Sequence, residues 1–325
     1  MNNTTTLPTR YSWLVRRELW EHKLVTWAPA ILALVIVVSV LAGYATHGSV
    51  ELQFDGDEMQ KINEAATHGK FELVAAAGLT LVSVVFLMLA NGLQFFYAAD
   101  ALYAERAQRT ILFWKSLPVS DLQTVLSKLL VASVVAPLVA WAAAVVTEII
   151  VAAVVSLQFG HIPGALSALW SPSVWWYSLY MTFYLLVTTS IWYVPVIAWM
   201  LLVSAWMPLA RGMRLGRSPI VVGVLIPMAL MLAEGIIFRS HKLYGIVMDR
   251  VLFRGYAAAA LRDAQGITID GERMNELQGT VGMLAGRVVH PLSFLATPSV
   301  WAGLVATALM IAGAVYCRRR SENRG

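Results

Sequence analysis

The sequence predicts an all-α polytopic membrane protein with six transmembrane helices, and three observations lead to this fold class. Apolar residues make up 58% of the 325-residue chain and charged residues only 13%, with a mean hydropathy of +0.67. Runs of about 20 apolar residues recur along the chain, and this is the length that an α-helix needs to cross a bilayer. A lipid-facing β-barrel is disfavoured because the sequence lacks the alternation of apolar and polar residues that its strands require.

Six apolar segments are the predicted spans. Their approximate bounds are 25–45, 73–97, 129–157, 174–207, 220–238 and 300–316. The fourth segment has 34 residues, so it forms either one long helix, tilted or kinked at Pro195, or a tight helical hairpin. A hairpin would move Arg211, Arg214 and Arg217 to the outer side of the membrane. The positive-inside rule therefore favours one long helix.

The placement of lysine and arginine predicts that both termini are cytoplasmic. In this orientation the inner segments hold 15 of the 24 basic residues, and the short outer connection 158–173 holds none. Seven others lie in the outer segment 239–299, whose length gives them little weight in the rule. Topology thus explains the net charge of +5, and nucleic acid is not an expected partner. Cys317 is the single cysteine, which excludes an internal disulfide.

The whole chain, 1–325, reads as one transmembrane domain with polar elements between its spans. Residues 11–23 predict a helix along the inner membrane face, anchored by Trp13, Arg16, Arg17 and Trp20. The apolar face of this helix is interrupted by Arg17 and Glu18, so a simple topology-setting flank is the alternative. Outer segment 239–299 predicts helices that lie in the interface or re-enter the membrane.

Motifs for autonomous chemistry are missing from the sequence. It contains no G-x-x-x-x-G-K-[ST] phosphate loop, no H-E-x-x-H and no G-x-S-x-G, so neither ATP hydrolysis nor metal binding is expected of this chain. Glu148 and Glu234 are acidic residues within predicted spans, near their outer ends. Both are candidates for the substrate path, and a polar contact between helices is the alternative for each.

Region 99–128, between the second and third spans, is charged and amphipathic. Residues 98–112 continue the helical pattern of the second span into the cytoplasm. Pro118 then disfavours helix at Leu117, and Ser120 is placed to cap the helix that starts the third span at Asp121. The pattern predicts a rigid cytoplasmic element: helix, short transverse helix, sharp turn, helix.

This region resembles the cytoplasmic loop of ABC-2 type transporter permeases, which reads approximately E-R-x-x-G-T-L-E-x-L-L-x-x-P-V-S and is followed by G-K-L-L. The chain has Glu105-Arg106, Thr110, Leu117-Pro118-Val119-Ser120 and Lys128-Leu129-Leu130 at the corresponding positions. Arg109 stands where the family has glycine, and Leu112 where it has an acidic residue. The N-terminal helix, six spans, long outer segment and closing Arg318-Arg319-Arg320 are also similar to that family.

The resemblance implies the permease subunit of an ATP-binding cassette transporter, in the family usually an exporter of the bacterial inner membrane. Two copies would form the path and two separate ATP-binding subunits would bind ATP and Mg²⁺, with no cofactor on this chain. The cytoplasmic coupling helix would contact those subunits. The residues that the resemblance assigns to this contact are Glu105, Arg106, Arg109, Thr110, Phe113, Trp114, Leu117 and Pro118.

Two other function classes are alternatives. An autonomous secondary transporter or channel would move its substrate without an ATP-binding partner, but the chain shows no internal repeat of the kind common in such transporters. A membrane-embedded lipid-modifying enzyme would use Glu148, Glu234 or His290, although no nucleophile–base pair or metal cluster is visible. Lipids, peptides, antibiotics and glycans are all compatible with the sequence as substrates.

Overall fold

A computed structural model describes residues 7–47, 70–107, 120–159, 162, 164–207, 218–251 and 291–320. Regular structure in these ranges is entirely helical. The helices are α1 (Leu7–Glu21), α2 (Leu24–His47), α3 (Lys70–Ala107), α4 (Asp121–Phe159), α5 (Ala165–Leu169), α6 (Pro172–Trp206), α7 (Pro219–Phe238), α8 (Lys242–Val251), α9 (Pro291–Ala296) and α10 (Pro298–Arg320). Single π turns interrupt α4 at Val131–Val135 and end α7 at Glu234–Phe238.

Six of these helices are long and apolar enough to cross a membrane: α2, α3, α4, α6, α7 and α10. Each coincides with one of the six predicted spans, which confirms the all-α class and the multi-pass membrane architecture. Every backbone polar group inside a bilayer needs an internal partner, and continuous helices meet this requirement.

The fourth apolar segment forms one helix, as the charge distribution predicted. Helix α6 runs without a break from Pro172 to Trp206 and contains Pro195 in its interior. Helix α3 likewise continues past the predicted end of the second span at Tyr97 as far as Ala107. The predicted continuation to residue 112 lies outside the described residues.

Helix α6 is the centre of the bundle. It packs along α3 and α10, while α2 packs on α4 and α3. Small buried side chains at these contacts, among them Ala98, Ala132, Ala198 and Ala314, let the helix backbones approach closely. Few side chains of α2 and α7 are buried, as is expected of helices that face lipid or another subunit.

Helix α8 turns back from the end of α7 and contacts the interior of α6. At its start, the Glu234 carboxylate accepts hydrogen bonds from the backbone N–H groups of Lys242 (3.1 Å) and Leu243 (2.9 Å). At its end, the Trp192 indole donates to the carbonyl of Arg250 (3.2 Å) and the Tyr193 hydroxyl to that of Val251 (2.8 Å). Side chains of α7 and α6 therefore bind the orphan backbone groups at both ends of α8.

Arginine 250 adds a further connection at this point. Its guanidinium stacks 4.2 Å from the centre of the Trp192 ring and donates to the carbonyls of Trp192 and Ser299. The arginine thus joins α8 to both α6 and the start of α10, one turn from Pro195. The remainder of the predicted outer segment, 252–290, lies outside the described residues.

A capping box starts α4, as the sequence predicted for Ser120. The Ser120 hydroxyl accepts from the backbone N–H of Gln123 (3.2 Å), and the Gln123 side chain accepts from the backbone N–H of Ser120 (3.0 Å). Ser218 precedes α7 in the same position but makes no side-chain cap.

We expect Ser120→Ala to lower the free energy of unfolding by about 1 kcal/mol, because it removes one of these two hydrogen bonds. Ser218→Ala is the matched control and should have little effect. Thermal unfolding of the purified variants in detergent measures the difference, and equal midpoints for the two would contradict a role for the cap.

Candidate functional site

A network of buried ion pairs lies where α1, α3, α4 and α10 meet. Its six side chains come from four helices. They are Arg17 and Glu18 on α1, Glu105 on α3, Asp121 and Lys128 on α4, and Arg318 on α10. Two of the four helices, α3 and α4, are the ones that flank the coupling region on either side.

Lysine 128 is the central cation of this network. Its side chain is 0% exposed, and its Nζ lies 3.0 Å from both carboxylate oxygens of Glu18 and 3.0 Å from Oε1 of Glu105. The ammonium group has three protons and therefore can donate to each of these oxygens. One buried lysine thus holds carboxylates of two different helices.

Glutamate 105 connects Lys128 to two arginines. Its Oε1 accepts from Arg17 at 2.8 Å and its Oε2 accepts from Arg318 at 2.8 Å. Arg318 also donates to Oδ1 of Asp121 at 2.9 Å. The ion pair between Asp121 and Arg318 therefore joins the first turn of α4 to the last turn of α10. The helix dipole stabilises a carboxylate near a helix N-terminus and a cation near a helix C-terminus.

Glutamate 18 has an additional neutral partner. The Tyr97 hydroxyl donates to Oε2 of Glu18 at 2.8 Å, and the His22 ring packs edge-on against Tyr97, with 4.7 Å between the ring centroids. The carboxylate, the ammonium and the hydroxyl are all buried. Buried charges are tolerated only when they are paired and hydrogen-bonded, which this arrangement achieves.

Arginine 106, the residue after Glu105, braces the end of α6. It donates to the backbone carbonyl of Ser204 in the last turn of that helix. The Ser204 hydroxyl in turn accepts from the backbone N–H groups of Leu102 (3.2 Å) and Tyr103 (2.9 Å) on α3. A cation at a helix C-terminus is favourable, so Arg106 holds α3 and α6 together at this level.

The predicted coupling residues therefore divide into two groups. Glu105 is 5% exposed, and its carboxylate, like the Arg106 guanidinium, has partners inside the subunit. A direct ion pair from either residue to an ATP-binding subunit stays an untested prediction, and the geometry gives both a bracing role instead. The other coupling residues lie outside the described part of the chain: Arg109, Thr110, Phe113, Trp114, Leu117 and Pro118.

The predicted N-terminal helix is present as α1, and its position along the inner membrane face stays a prediction. Trp13 and Trp20 are 67% and 68% exposed, and the Arg16 guanidinium lies 5.8 Å and 5.1 Å from their ring centroids. Arg17 and Glu18 interrupt the apolar pattern because they face the ion-pair network. The charged residues that interrupt the apolar face of α1 are thus a sequence signal for buried ionic partners, although the sequence analysis did not interpret them in this way.

Sequence reasoning also missed the roles of several other network members. Lys128 and Asp121 were placed at the start of the third span, and Arg318 was counted only as a topology signal. Tyr97 was placed at the end of the second span. Nothing in their spacing predicts that they meet, because they come from three different helices: Tyr97 from α3, Asp121 and Lys128 from α4, and Arg318 from α10.

The two acidic candidates for a substrate path lie apart from this network. Glu234 caps the start of α8, which is the polar inter-helix contact that the sequence left as the alternative. Glu148 is buried and accepts a hydrogen bond from Ser83. A transport role for either residue stays a prediction.

One group of described residues has the ligand spacing of a metal site. Oxygen and nitrogen atoms of Glu18, Glu21 and His22 lie within 4.8 Å of one another. The Glu18 carboxylate already accepts from Lys128 and Tyr97, so this group is part of the ion-pair network. We assign no metal to it.

Comparison with known proteins identifies no relative: no family model, curated protein or solved structure matches the chain significantly.

We expect Glu105→Gln to lower the free energy of unfolding by about 3 kcal/mol, because it leaves Lys128 and Arg318 buried without their shared carboxylate. Arg319→Ala is the control, since Arg319 is 67% exposed and lies 3.9 Å from Asp121. Thermal unfolding in detergent should show a large decrease for the first variant and almost none for the second. Equal midpoints would mean that the network contributes little to stability.

Histidine 22, at the junction of α1 and α2, predicts a pH dependence. Burial lowers the pKa of His22 below its ordinary value of 6.5 and Lys128 lowers it further, against the opposing effect of Glu18, Asp100 and Glu21. The unfolded chain therefore binds this proton at a higher pH than the folded chain, so stability is lost as the pH falls below about 6.5. His22→Gln should reduce this loss, which unfolding midpoints at several pH values between about 7.5 and 5.5 would measure. An unchanged pH profile would contradict the assignment.

Proposed function

We propose that this protein is the permease subunit of an ABC-2 type ATP-binding cassette transporter. In this proposal two copies form the transmembrane path, and two separate ATP-binding subunits bind to the cytoplasmic face. ATP and Mg²⁺ belong to those subunits, and this chain has no catalytic role. Export across the bacterial inner membrane is the direction that the resemblance implies.

The observation that carries the proposal is the position of the ion-pair network. Region 99–128 is the part of the chain that resembles the coupling loop, and the network includes charged residues near both of its ends. Glu105 lies near its start, and Asp121 and Lys128 lie near its end. A force applied to the segment would therefore act on a rigid cluster of side chains.

The same cluster extends to the other helices that have to move. Glu18 and Arg17 join it to α1, and Arg318 joins it to the end of α10. Arg106 extends the connection to α6, the central helix of the bundle. Movement of the coupling segment would then displace the cytoplasmic ends of five helices together, as a two-state switch between packed arrangements requires.

The exposed helix α1 supplies a second surface for the ATP-binding subunit. Trp13, Arg16 and Trp20 form a cationic and aromatic face on the side opposite the network. Aromatic and arginine side chains are common at the energetic centre of protein interfaces. A partner that contacted both α1 and the coupling segment would act on the network from two directions.

Co-purification tests the proposal. Affinity purification of the protein from its native membrane should recover an ATPase subunit in roughly equimolar amount, and ATP hydrolysis by that complex should respond to the permease. A protein that purifies alone and whose transport is indifferent to ATP would overturn the proposal and favour an autonomous transporter or channel.

Two kinds of variant separate contact with the ATPase from internal bracing. We expect Trp114→Ala to reduce recovery of the ATPase subunit by about tenfold or more, because an aromatic anchor contributes about 1.4 kcal/mol or more at an interface. The unfolding midpoint of the permease should stay unchanged. Glu105→Gln should lower the midpoint itself. The proposal fails for this segment if Trp114→Ala leaves both recovery and ATPase coupling intact.

A further inference from the structure

Glutamate 148 is a buried acid that the ion-pair network does not include. It lies on α4, is 0% exposed, and faces α3 and α6. The Ser83 hydroxyl of α3 donates to its Oε1 at 2.5 Å, and the Ser178 hydroxyl of α6 lies against the same carboxyl group. The site is thus built from three helices that pack together in the centre of the bundle.

Two oxygen atoms of this site are buried without a hydrogen-bond partner among the described residues. They are Oε2 of Glu148 and Oγ of Ser178. A carboxylate oxygen only accepts hydrogen bonds, whereas a neutral carboxylic acid carries one O–H that donates. An unsatisfied buried polar group costs about 1–3 kcal/mol, and more when the group is charged, so a proton on Glu148 reduces the cost of leaving Oε2 without a partner.

The charges around Glu148 lead to the same assignment. None of the ion pairs among the described residues includes it, whereas Glu18 and Glu105 are equally enclosed and are held by Lys128. The groups that face it from α3 and α6 are the hydroxyls of Ser83 and Ser178. An ionised carboxylate in these surroundings would be an uncompensated buried charge, while the neutral acid avoids that cost.

We propose that Glu148 is a proton-binding site, occupied by a proton in this conformation. Ionisation of Glu148 would require water at the carboxyl group, because the O–H bond then breaks with its electron pair retained on Oε2 and the proton passes to water as hydronium.

Infrared spectroscopy tests the proposal directly on the purified full-length chain. The difference spectrum of wild type minus Glu148→Gln at neutral pH should contain the carbonyl stretch of one neutral carboxylic acid. If the difference spectrum contained a carboxylate band and no acid band, Glu148 would be ionised and the proposal would be overturned.

Glutamate 234 provides the matched control. Its carboxylate accepts two backbone N–H groups at the start of α8 and is accessible to water, so Glu234→Gln should remove carboxylate bands only. Glu148→Gln replaces a neutral acid with a neutral amide of similar shape, and its unfolding midpoint should stay close to that of wild type. A large destabilisation by this variant would indicate a lost charge and count against the proton.

A second variant keeps the test decisive if Glu148→Gln does not fold. Glu148→Asp retains a carboxyl group, so the acid band should shift in frequency without disappearing. Addition of sodium ions should leave the band unchanged, and its conversion to a carboxylate band by sodium would assign the site to a metal cation instead. These measurements need no ATP-binding subunit, so the proton site and the proposed transport function stand or fall separately.

Discussion

Lysine 128 is enclosed completely by protein, and its charge has to be neutralised where it lies. Glu18 and Glu105 provide this neutralisation from two other helices, and Arg17 and Arg318 balance the second carboxylate. Removal of any one of these residues leaves its partners with fewer opposite charges in a low-dielectric interior, which is destabilising. The relative positions of α1, α3, α4 and α10 are therefore tied to one electrostatic constraint.

Hydrogen bonds satisfy the backbone groups at several other helix ends in the bundle. The ends of α8 are bound by side chains of α6 and α7, and the last turn of α6 is bound by Arg106 of α3. Within an apolar environment such contacts replace the water that would otherwise hydrate the helix termini. Glu148 differs because the groups around it are hydroxyls and none of them is a cation. We therefore infer that a proton neutralises its carboxylate.

The elements that sequence reasoning predicted well are those whose cause is local. Six spans, the single long helix α6 and the Ser120 cap each depend on hydropathy, on basic residues near helix ends or on a short capping motif. Candidate site residues were predicted less completely. The structure adds that three cations bind the Glu105 carboxylate inside the subunit, which the sequence does not reveal because these cations come from three other helices.

The sequence by itself determined the membrane class, the number of spans and the stretch that interrupts them, because hydrophobic length and backbone hydrogen bonding act within a single segment. Only the tertiary structure decided which charged residues meet. Glu18 and Lys128 are 110 positions apart, and Glu105 and Arg318 are 213 positions apart. Their pairing depends on how four helices pack, because the attraction between two charges depends on the distance and the dielectric between them. The local sequence around each residue specifies neither of these quantities.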